Sequence, residues 1–250
     1  MTSKAKIVMV TGADGTVGQA MKLHYEKEVQ PKRPSEKWVF VDIQDGDLTG
    51  WLLALSAVGE NTDWLNYAAT RRLFDRCAPT HVVHLAARVG GVYDMMSHQV
   101  DFLRLNLAIN DNVLRCAHET DVQKVLCALS CAVFPDKAAV YPLDENMIHE
   151  GLPHESCFGY AFAKRVAQVT CQVYNQEKGC RFVPFIPCNV FGPGDNYDTG
   201  HSHVVGALTR KCLEAKANKT PLVVLGTGTA RRQFIYSPDL GRALASHGPS

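Results

Sequence analysis

The sequence predicts an α/β fold: a doubly wound (Rossmann) parallel sheet with helices on both faces, joined to a small appendage. Three observations carry this. From Ile7 to Ile186, short and almost wholly apolar strands alternate with amphipathic helices, the pattern of a parallel sheet covered on both sides. A Gly-x-x-Gly-x-x-Gly turn separates the first strand from the first helix. The chain has 250 residues, 46% of them apolar, enough for one sizeable core and an appendage.

Each element has its own signal. Ile7 to Val10 is a β-branched run, and Val17 to Glu28 places Val17, Ala20, Met21 and Leu23 on one helical side. Trp38 to Val41 is the second strand. The stretch from Leu48 to Arg72 holds a tryptophan-bearing apolar segment, a break at Gly59-Glu60-Asn61, and then Trp64 to Phe74. It reads as one helix preceded by an inserted surface excursion near 49–67. His81 to Ala86, Val125 to Leu129 and Phe182 to Ile186 are strands three to five. Phe102 to Glu119 and Tyr160 to Gln176 are helices with apolar spacing of three and four.

Composition excludes several function classes. Lys and Arg number 26 against 25 Asp and Glu, a formal charge of +1. No global field draws in nucleic acid or an acidic membrane, so an anionic ligand needs a local site. The first residues lack the apolar core of a secretory signal. No run approaches the roughly 18 apolar residues of a membrane span. The nine cysteines form no Cys-x-x-Cys pair and fit no zinc template. They are expected to be reduced, in a cytoplasmic protein, and mostly small core residues.

Strand one ends at Thr11, followed by Gly12-Ala13-Asp14-Gly15-Thr16-Val17-Gly18 and a helix. Glycines there permit a tight turn, close approach of backbone to a pyrophosphate, and close helix–strand packing. The helix N-terminus adds free N–H groups and a positive dipole end. This is a dinucleotide cradle. Strand two ends at Asp42, 24 residues after Gly18. A carboxylate there accepts bonds from the adenosine ribose and repels a 2′-phosphate, which by itself favours NAD over NADP. Asp47 and Leu48 are expected at the adenine edge.

Ser130 ends strand four, and Tyr160 and Lys164 lie one helical turn apart. An ammonium beside a phenol favours the tyrosinate and lowers its pKa. Tyr160 can then exchange a proton with a carbonyl or hydroxyl oxygen while a nicotinamide moves hydride. Ser130 can donate a second bond to that oxygen. His201 and His203 form a His-x-His pair, but no third ligand is placed and no metal is expected.

Thr11-Gly12 to Gly18, His84-Leu85-Ala86-Ala87, Ser130, and Tyr160 to Lys164 resemble the extended short-chain dehydrogenases/reductases. More specific strings are His84-Leu-Ala-Ala-Arg-Val-Gly-Gly91, Phe134-Pro-Asp-Lys137, Tyr141-Pro-Leu-Asp-Glu145, Asn189-Val-Phe-Gly-Pro193 with Asp195-Asn196, and Arg231-Arg-Gln-Phe234. Together they resemble the GDP-L-fucose synthase family, from the first strand to about Ala243 apart from the excursion.

The resemblance implies two chemistries in one pocket: epimerisation of GDP-4-keto-6-deoxy-D-mannose at C3 and C5, then NADPH-dependent reduction of the C4 ketone. It implies Leu85, Ala86 and Ala87 along the cofactor, and Asn189 and Val190 on its nicotinamide side. It places Val89, Gly90, Lys211 and Arg232 at the GDP-sugar. NADP(H) is the cofactor expected, with NAD(H) admitted by Asp42 and Asp14. The family's epimerisation acid, a histidine opening a later helix, matches His203. Its base is a cysteine two residues after the serine, a position held here by Ala132. Either a one-residue shift brings Cys131 into that role, or the chain lacks the base; Cys131 is the expectation.

Residues 1–185 are thus expected as the NAD(P)-binding domain, and 186–250 as a truncated GDP-sugar lobe with a returning strand. Family members run on further, so apolar surface is expected to stay uncovered and sugar-nucleotide binding to suffer. A homodimer is expected. Two other readings compete: a nucleotide-sugar 4-epimerase or 4,6-dehydratase, and an inactive cofactor-binding remnant. A dehydratase wants a carboxylate beside Ser130, where Cys131 and Ala132 stand.

Overall fold

A computed structural model describes residues 5–42, 63–198, 202–229 and 231–247. Five strands, β1 (Ile7–Thr11), β2 (Lys37–Val41), β3 (His81–His84), β4 (Lys124–Ala128) and β5 (Phe182–Phe185), form one parallel sheet in the order β2-β1-β3-β4-β5. The helices between them are α1 (Thr16–His24), α2 (Tyr67–Cys77), α3 (Val92–Ser97), α4 (Gln99–Glu119) and α5 (Phe158–Lys178). Beyond β5 come β6 (Asn189–Phe191), α6 (Val204–Asn218), β7 (Phe234–Tyr236) and α7 (Ser237–His247). β6 and β7 form a separate parallel pair.

Strand alternation sorts the core into two layers. Met9, Val39, Val41, Val82, Val125 and Cys127 face Leu73 and Phe74 of α2, Ile109 and Val113 of α4, and Ala167 and Cys171 of α5. Val8, Val10, Trp38, Val83 and Leu126 face Met21 of α1, Tyr25 and Val29 after it, and Leu240 and Leu244 of α7. Trp38 and Phe74 are each at most 1% exposed, and burying one such ring contributes about 2–3 kcal/mol. α7, far along the chain, therefore covers the same sheet face as α1. None of the described helices is long and apolar enough to cross a membrane.

The boundaries differ from the sequence reading where local bonds intervene. α1 gives way to a wider π turn over Tyr25–Val29, and Tyr25 stacks on Trp38 at 5.2 Å. α2 starts at Tyr67 because Asn66 caps it, its side chain accepting the Ala69 N–H. Trp64 precedes the helix and is buried. Asp47, Leu48 and residues 49–62 of the excursion lie outside the described residues.

The site is built at the carboxyl edge of the sheet. The chain leaves β1 for β2 on one side and returns to β3 on the other, so the glycine loop and the segment after β3 part there and leave a crevice. Ser130 follows β4 on the same edge, and Cys188 follows β5.

Candidate active site

The glycine loop is held by steric necessity. Gly12 has φ +71°, and a Cβ there would stand 2.7 Å from the Ala86 nitrogen. At Gly18 a Cβ would stand 2.5 Å from the carbonyls of Gly12 and Ala13, so α1 can close on the turn only without a side chain. Gly15 is under no such constraint; it is the N-cap of α1, and no side chain caps that end. The first-turn N–H groups, from Thr16, Val17 and Gly18, thus face the crevice. Asp42 lies beside the loop, its carboxylate accepting the Asp14 N–H at 2.6 Å. Over the other side, Thr16 Oγ1 donates to the Gly194 carbonyl at 3.2 Å.

Thr11 ties the strand tips together. Its hydroxyl oxygen accepts the N–H groups of Leu85 (3.2 Å) and Ala86 (3.1 Å). Its own proton therefore goes to His84 Nδ1 at 2.9 Å, and His84 Nε2–H donates to Asn110 Oδ1 at 3.1 Å. This ends β3 at His84 and sets the line of Leu85, Ala86 and Ala87 beside Gly12. Burial, and then the nearby Lys164 ammonium, push the His84 pKa down to about 3, so the imidazole is neutral throughout the physiological range.

Ser130, Tyr160 and Lys164 come together. Ser130 stands close enough to the Tyr160 hydroxyl to pull its pKa down. Tyr160 is 6% and Lys164 2% exposed, and Lys164 Nζ lies 5.9 Å from the centre of the Tyr160 ring. The expected lowering of the Tyr160 pKa by Lys164 is not what the geometry gives. Burial pushes the phenol above its ordinary range, opposed only in part by Ser130. The ammonium instead donates to the Ala128 carbonyl at 2.8 Å. One such bond gives about 1.5–3 kcal/mol, less than the several kcal/mol of taking an ammonium out of water. Burial accordingly lowers the Lys164 pKa.

Cys131 lies within this group. The chain turns at Ser130 into a 3-10 helix over Cys131–Val133, and Ser130 caps it by accepting the Ala132 N–H at 3.2 Å. Strand alternation ends there, so Cys131 is not turned to the far face. Its thiol lies near Ser130, Cys188, Arg232 and Cys157. Burial pushes the thiol pKa up, while Ser130 and Arg232 pull it down.

The sugar-side residues are less enclosed. Val89 is exposed and Gly90 buried; Asn189 and Val190 are half-buried on β6. Asn189 Nδ2 donates to the Gln233 carbonyl, 2.9 Å, beside Arg232. His203 opens α6 as its N-cap and is exposed. Gly206, one turn on, packs on the Asn196 carbonyl. Lys211 is half-buried two turns along α6, and nothing in the geometry ties it to Ser130. Sequence reasoning missed Cys157 and Cys188 beside Cys131, and the clamp of His84 by Thr11 and Asn110. Cys188 immediately precedes the Asn189 string and Cys157 closely precedes Tyr160, so proximity in sequence was the available signal.

Comparison with known families matches residues 8–246 to the NAD dependent epimerase/dehydratase family. The chain is 43% identical to GDP-L-fucose synthase of Dictyostelium discoideum over 241 residues, covering 96% of this chain and 69% of that protein. It is 42% identical to a probable GDP-L-fucose synthase of Drosophila melanogaster, covering 96% and 70%. Among solved structures, a GDP-L-fucose synthetase from Naegleria fowleri bound to NADP matches with a TM-score of 0.81 and 37% identity, over 98% of this chain and 72% of that one. The glycine cradle, the Ser130–Tyr160–Lys164 cluster and these likenesses agree: the chain belongs to the NAD dependent epimerase/dehydratase family, among relatives that are GDP-L-fucose synthases.

Proposed function

We propose that this chain is a GDP-L-fucose synthase, epimerising GDP-4-keto-6-deoxy-D-mannose at C3 and C5 and then reducing the C4 ketone with NADPH. The observation that carries the reading is the gathering of Ser130, Cys131, Tyr160 and Lys164 at the carboxyl edge of one sheet.

The residues fit a dinucleotide. The Gly12 cradle would be filled by any Cβ, and the α1 N-terminus has no side-chain cap. Gly12, Gly15, Thr16, Val17 and Gly18 would hold the pyrophosphate, with Asp14 and Asp42 beside the adenosine ribose. Leu85 to Ala87, Asn189 and Val190 would line the nicotinamide half. NADPH, when bound, supplies the hydride for C4. NADP(H) is the cofactor, with NAD(H) admitted by Asp42.

The chain's own groups do the rest. Tyr160, protonated because burial raises its pKa, gives its proton to the C4 oxygen as the ketone is reduced. In epimerisation Tyr160 and Ser130 hold the same oxygen as it gains enolate charge, which makes the C3 and C5 protons removable. Cys131 takes those protons and His203 returns protons to the opposite ring face. Arg232 suits the diphosphate, with Lys211, Val89 and Gly90 completing the substrate side.

The remaining assignments belong to the same proposal. Residues 1–185 act as the cofactor domain, and 186–250 as part of the sugar-nucleotide lobe except for α7, which packs back into the cofactor domain's core. The chain works as a homodimer; the support is a stripe of half-exposed Val166, Val169 and Val173 along α5, in an apolar groove with Phe162 and Tyr174. Its compartment is the cytoplasm, where nine free cysteines stay reduced.

The test is direct. The purified protein is given NADPH and GDP-4-keto-6-deoxymannose, absorbance is followed at ~340 nm, and the product sugar is identified by NMR. Oxidation of NADPH with a fucose-configured product is expected. A product that is reduced but not epimerised rules out the epimerase half, and no oxidation of NADPH rules out the whole.

A further inference from the structure

Arg88 sits in the segment after β3, and three neighbours fix it. Asn106, fully buried on α4, donates to the Arg88 carbonyl and accepts its N–H, both at 3.0 Å. Asp94, 5% exposed in its side chain, accepts from Arg88 Nη2 on both oxygens at 3.1 and 3.4 Å. The guanidinium lies over the Phe102 ring, 5.1 Å from its centre. Phe102 in turn meets the Tyr160 ring edge-on at 6.2 Å. One aromatic ring thus separates Arg88 from the proton donor.

The segment is shaped around this pair. A Cβ on Gly90 would stand 2.5 Å from Asp94 Oδ2 and 3.0 Å from Phe102 Cζ, so the backbone presses on the carboxylate that holds the arginine. His98 Nδ1 lies 2.8 Å from Asp94 Oδ1, which occupies that oxygen further. Despite these clamps the Arg88 side chain stays 42% exposed. Among the described residues its Nε and Nη1 hydrogens make no bond, so a fixed fork of donors faces outward.

The charge of this fork is already answered. Arg88 shares its charge with a nearly buried carboxylate, whereas Arg232 is in no ion pair among the described residues and is exposed. A neutralised guanidinium gains little from a dianionic phosphate, yet keeps its geometry for neutral oxygens. We propose that Arg88, held by Asp94, Asn106 and Phe102, recognises the sugar ring of the substrate by donating to its hydroxyl oxygens, while the diphosphate falls to Arg232. This deepens the functional reading above and rests on it.

The test separates sugar from nucleotide. Steady-state rates with GDP-4-keto-6-deoxymannose are compared for the parent, Arg88→Lys, Arg88→Met and the double variant Arg88→Met/Asp94→Asn, which leaves no nearly buried carboxylate unpaired. The KM for the sugar nucleotide should rise about tenfold in Arg88→Met and in the double variant, with kcat within about threefold, the signature of lost uniform binding. The KM for NADPH and the inhibition constant of GDP, which lacks the sugar, should stay unchanged. Arg88→Lys should recover part of the loss. An unchanged sugar-nucleotide KM in the double variant overturns the proposal. So does an equal loss of GDP affinity, which would mean a general loosening. If the parent neither turns over nor binds the sugar nucleotide, the functional reading falls and this inference with it; parent turnover with an unchanged KM in the variants sinks this inference alone.

Discussion

The two sides of the crevice are built differently. On the cofactor side Thr11, His84, Tyr160 and Lys164 are all at most 6% exposed; Thr11, His84 and Lys164 are hydrogen-bonded, and the Tyr160 hydroxyl lies close to Ser130. On the sugar side His203 and Arg232 are exposed, and apart from a bond from Arg232 to the neighbouring Arg231 carbonyl their side chains have no partner among the described residues. Core packing assembles the first set before any ligand arrives. The second set is positioned by backbone alone, and its geometry depends on what binds. Hydride transfer to a ketone tolerates little misplacement, so the rigid side is where reduction is expected to be decided, and epimerisation is expected to be the more fragile activity.

The sharpest way to break this comparison is Tyr160→Phe. Reduction should fall roughly 10³-fold, within the range for loss of a positioned acid, with NADPH affinity nearly unchanged in a titration. Surviving turnover would show that the buried side does not carry the proton.

Next in size is Cys131→Ser, which tests the join between the sides. Solvent deuterium entry at C3 and C5 should drop on the order of 10²-fold, while direct ketone reduction continues. In the parent, exchange should climb with pH, because a raised thiol pKa leaves little thiolate near neutrality. Reduction should not share that climb. Equal exchange in parent and variant would leave Cys131 as a packed residue. His203→Asn should impair exchange too, by a smaller factor.

A third effect is one of stability. His84 stays neutral in the fold down to about pH 3 but protonates near 6.5 when unfolded. Below 6.5 the unfolded chain therefore binds the extra proton, and stability falls as pH falls. Between pH 6.5 and 5 this amounts to about 2 kcal/mol. His84→Gln should flatten that acid limb in denaturant titrations at several pH values; an unaltered limb would mean His84 is not the group responsible.

The smallest effect expected is at Asp42. Its carboxylate is bonded to the Asp14 N–H, where a 2′-phosphate would meet it. Asp42→Ala should raise the NADP-to-NAD affinity ratio several-fold by calorimetry. An unchanged ratio would remove Asp42 from cofactor choice.

Much of the cofactor side was legible because its signals are local. A glycine turn between a strand and a helix, and a tyrosine and lysine one turn apart, show themselves within a few residues. The five sheet strands were legible because most are covered on both faces, which makes them largely apolar. β6 and β7, three residues each, are too short for any periodicity. The β3 boundary failed by two residues: Leu85 shares its N–H between the Thr11 carbonyl and hydroxyl, and Ala86 gives its N–H to the hydroxyl. The doubt over Cys131 came from a family spacing that falls on Ala132; spacing does not show the 3-10 turn over Cys131–Val133, which keeps the Cys131 thiol near Ser130. The pull of Lys164 on Tyr160 was misjudged because sequence spacing shows nearness but not burial. The Arg88 clamp draws on α3 and α4 together, and no local pattern contains it.

The packing of α7 on α1 has a consequence for how the protein is made. Gly241 lies against the backbone of Ala20 and Met21, closely enough that a Cβ would stand 3.0 Å away, although more than two hundred residues separate them. Leu240 and Leu244 close the layer over Val8, Val10 and Val83. A ribosome delivers that lid after all the other described elements. While α2, α4 and α5 can settle on their side as the nascent chain emerges, the opposite side of β1 has mainly Met21, Tyr25 and Val29 to cover it until α7 is made. The contact is among the most non-local in the molecule, so closing it belongs to the slow end of folding, and until it forms the uncovered apolar surface is open to association with other chains.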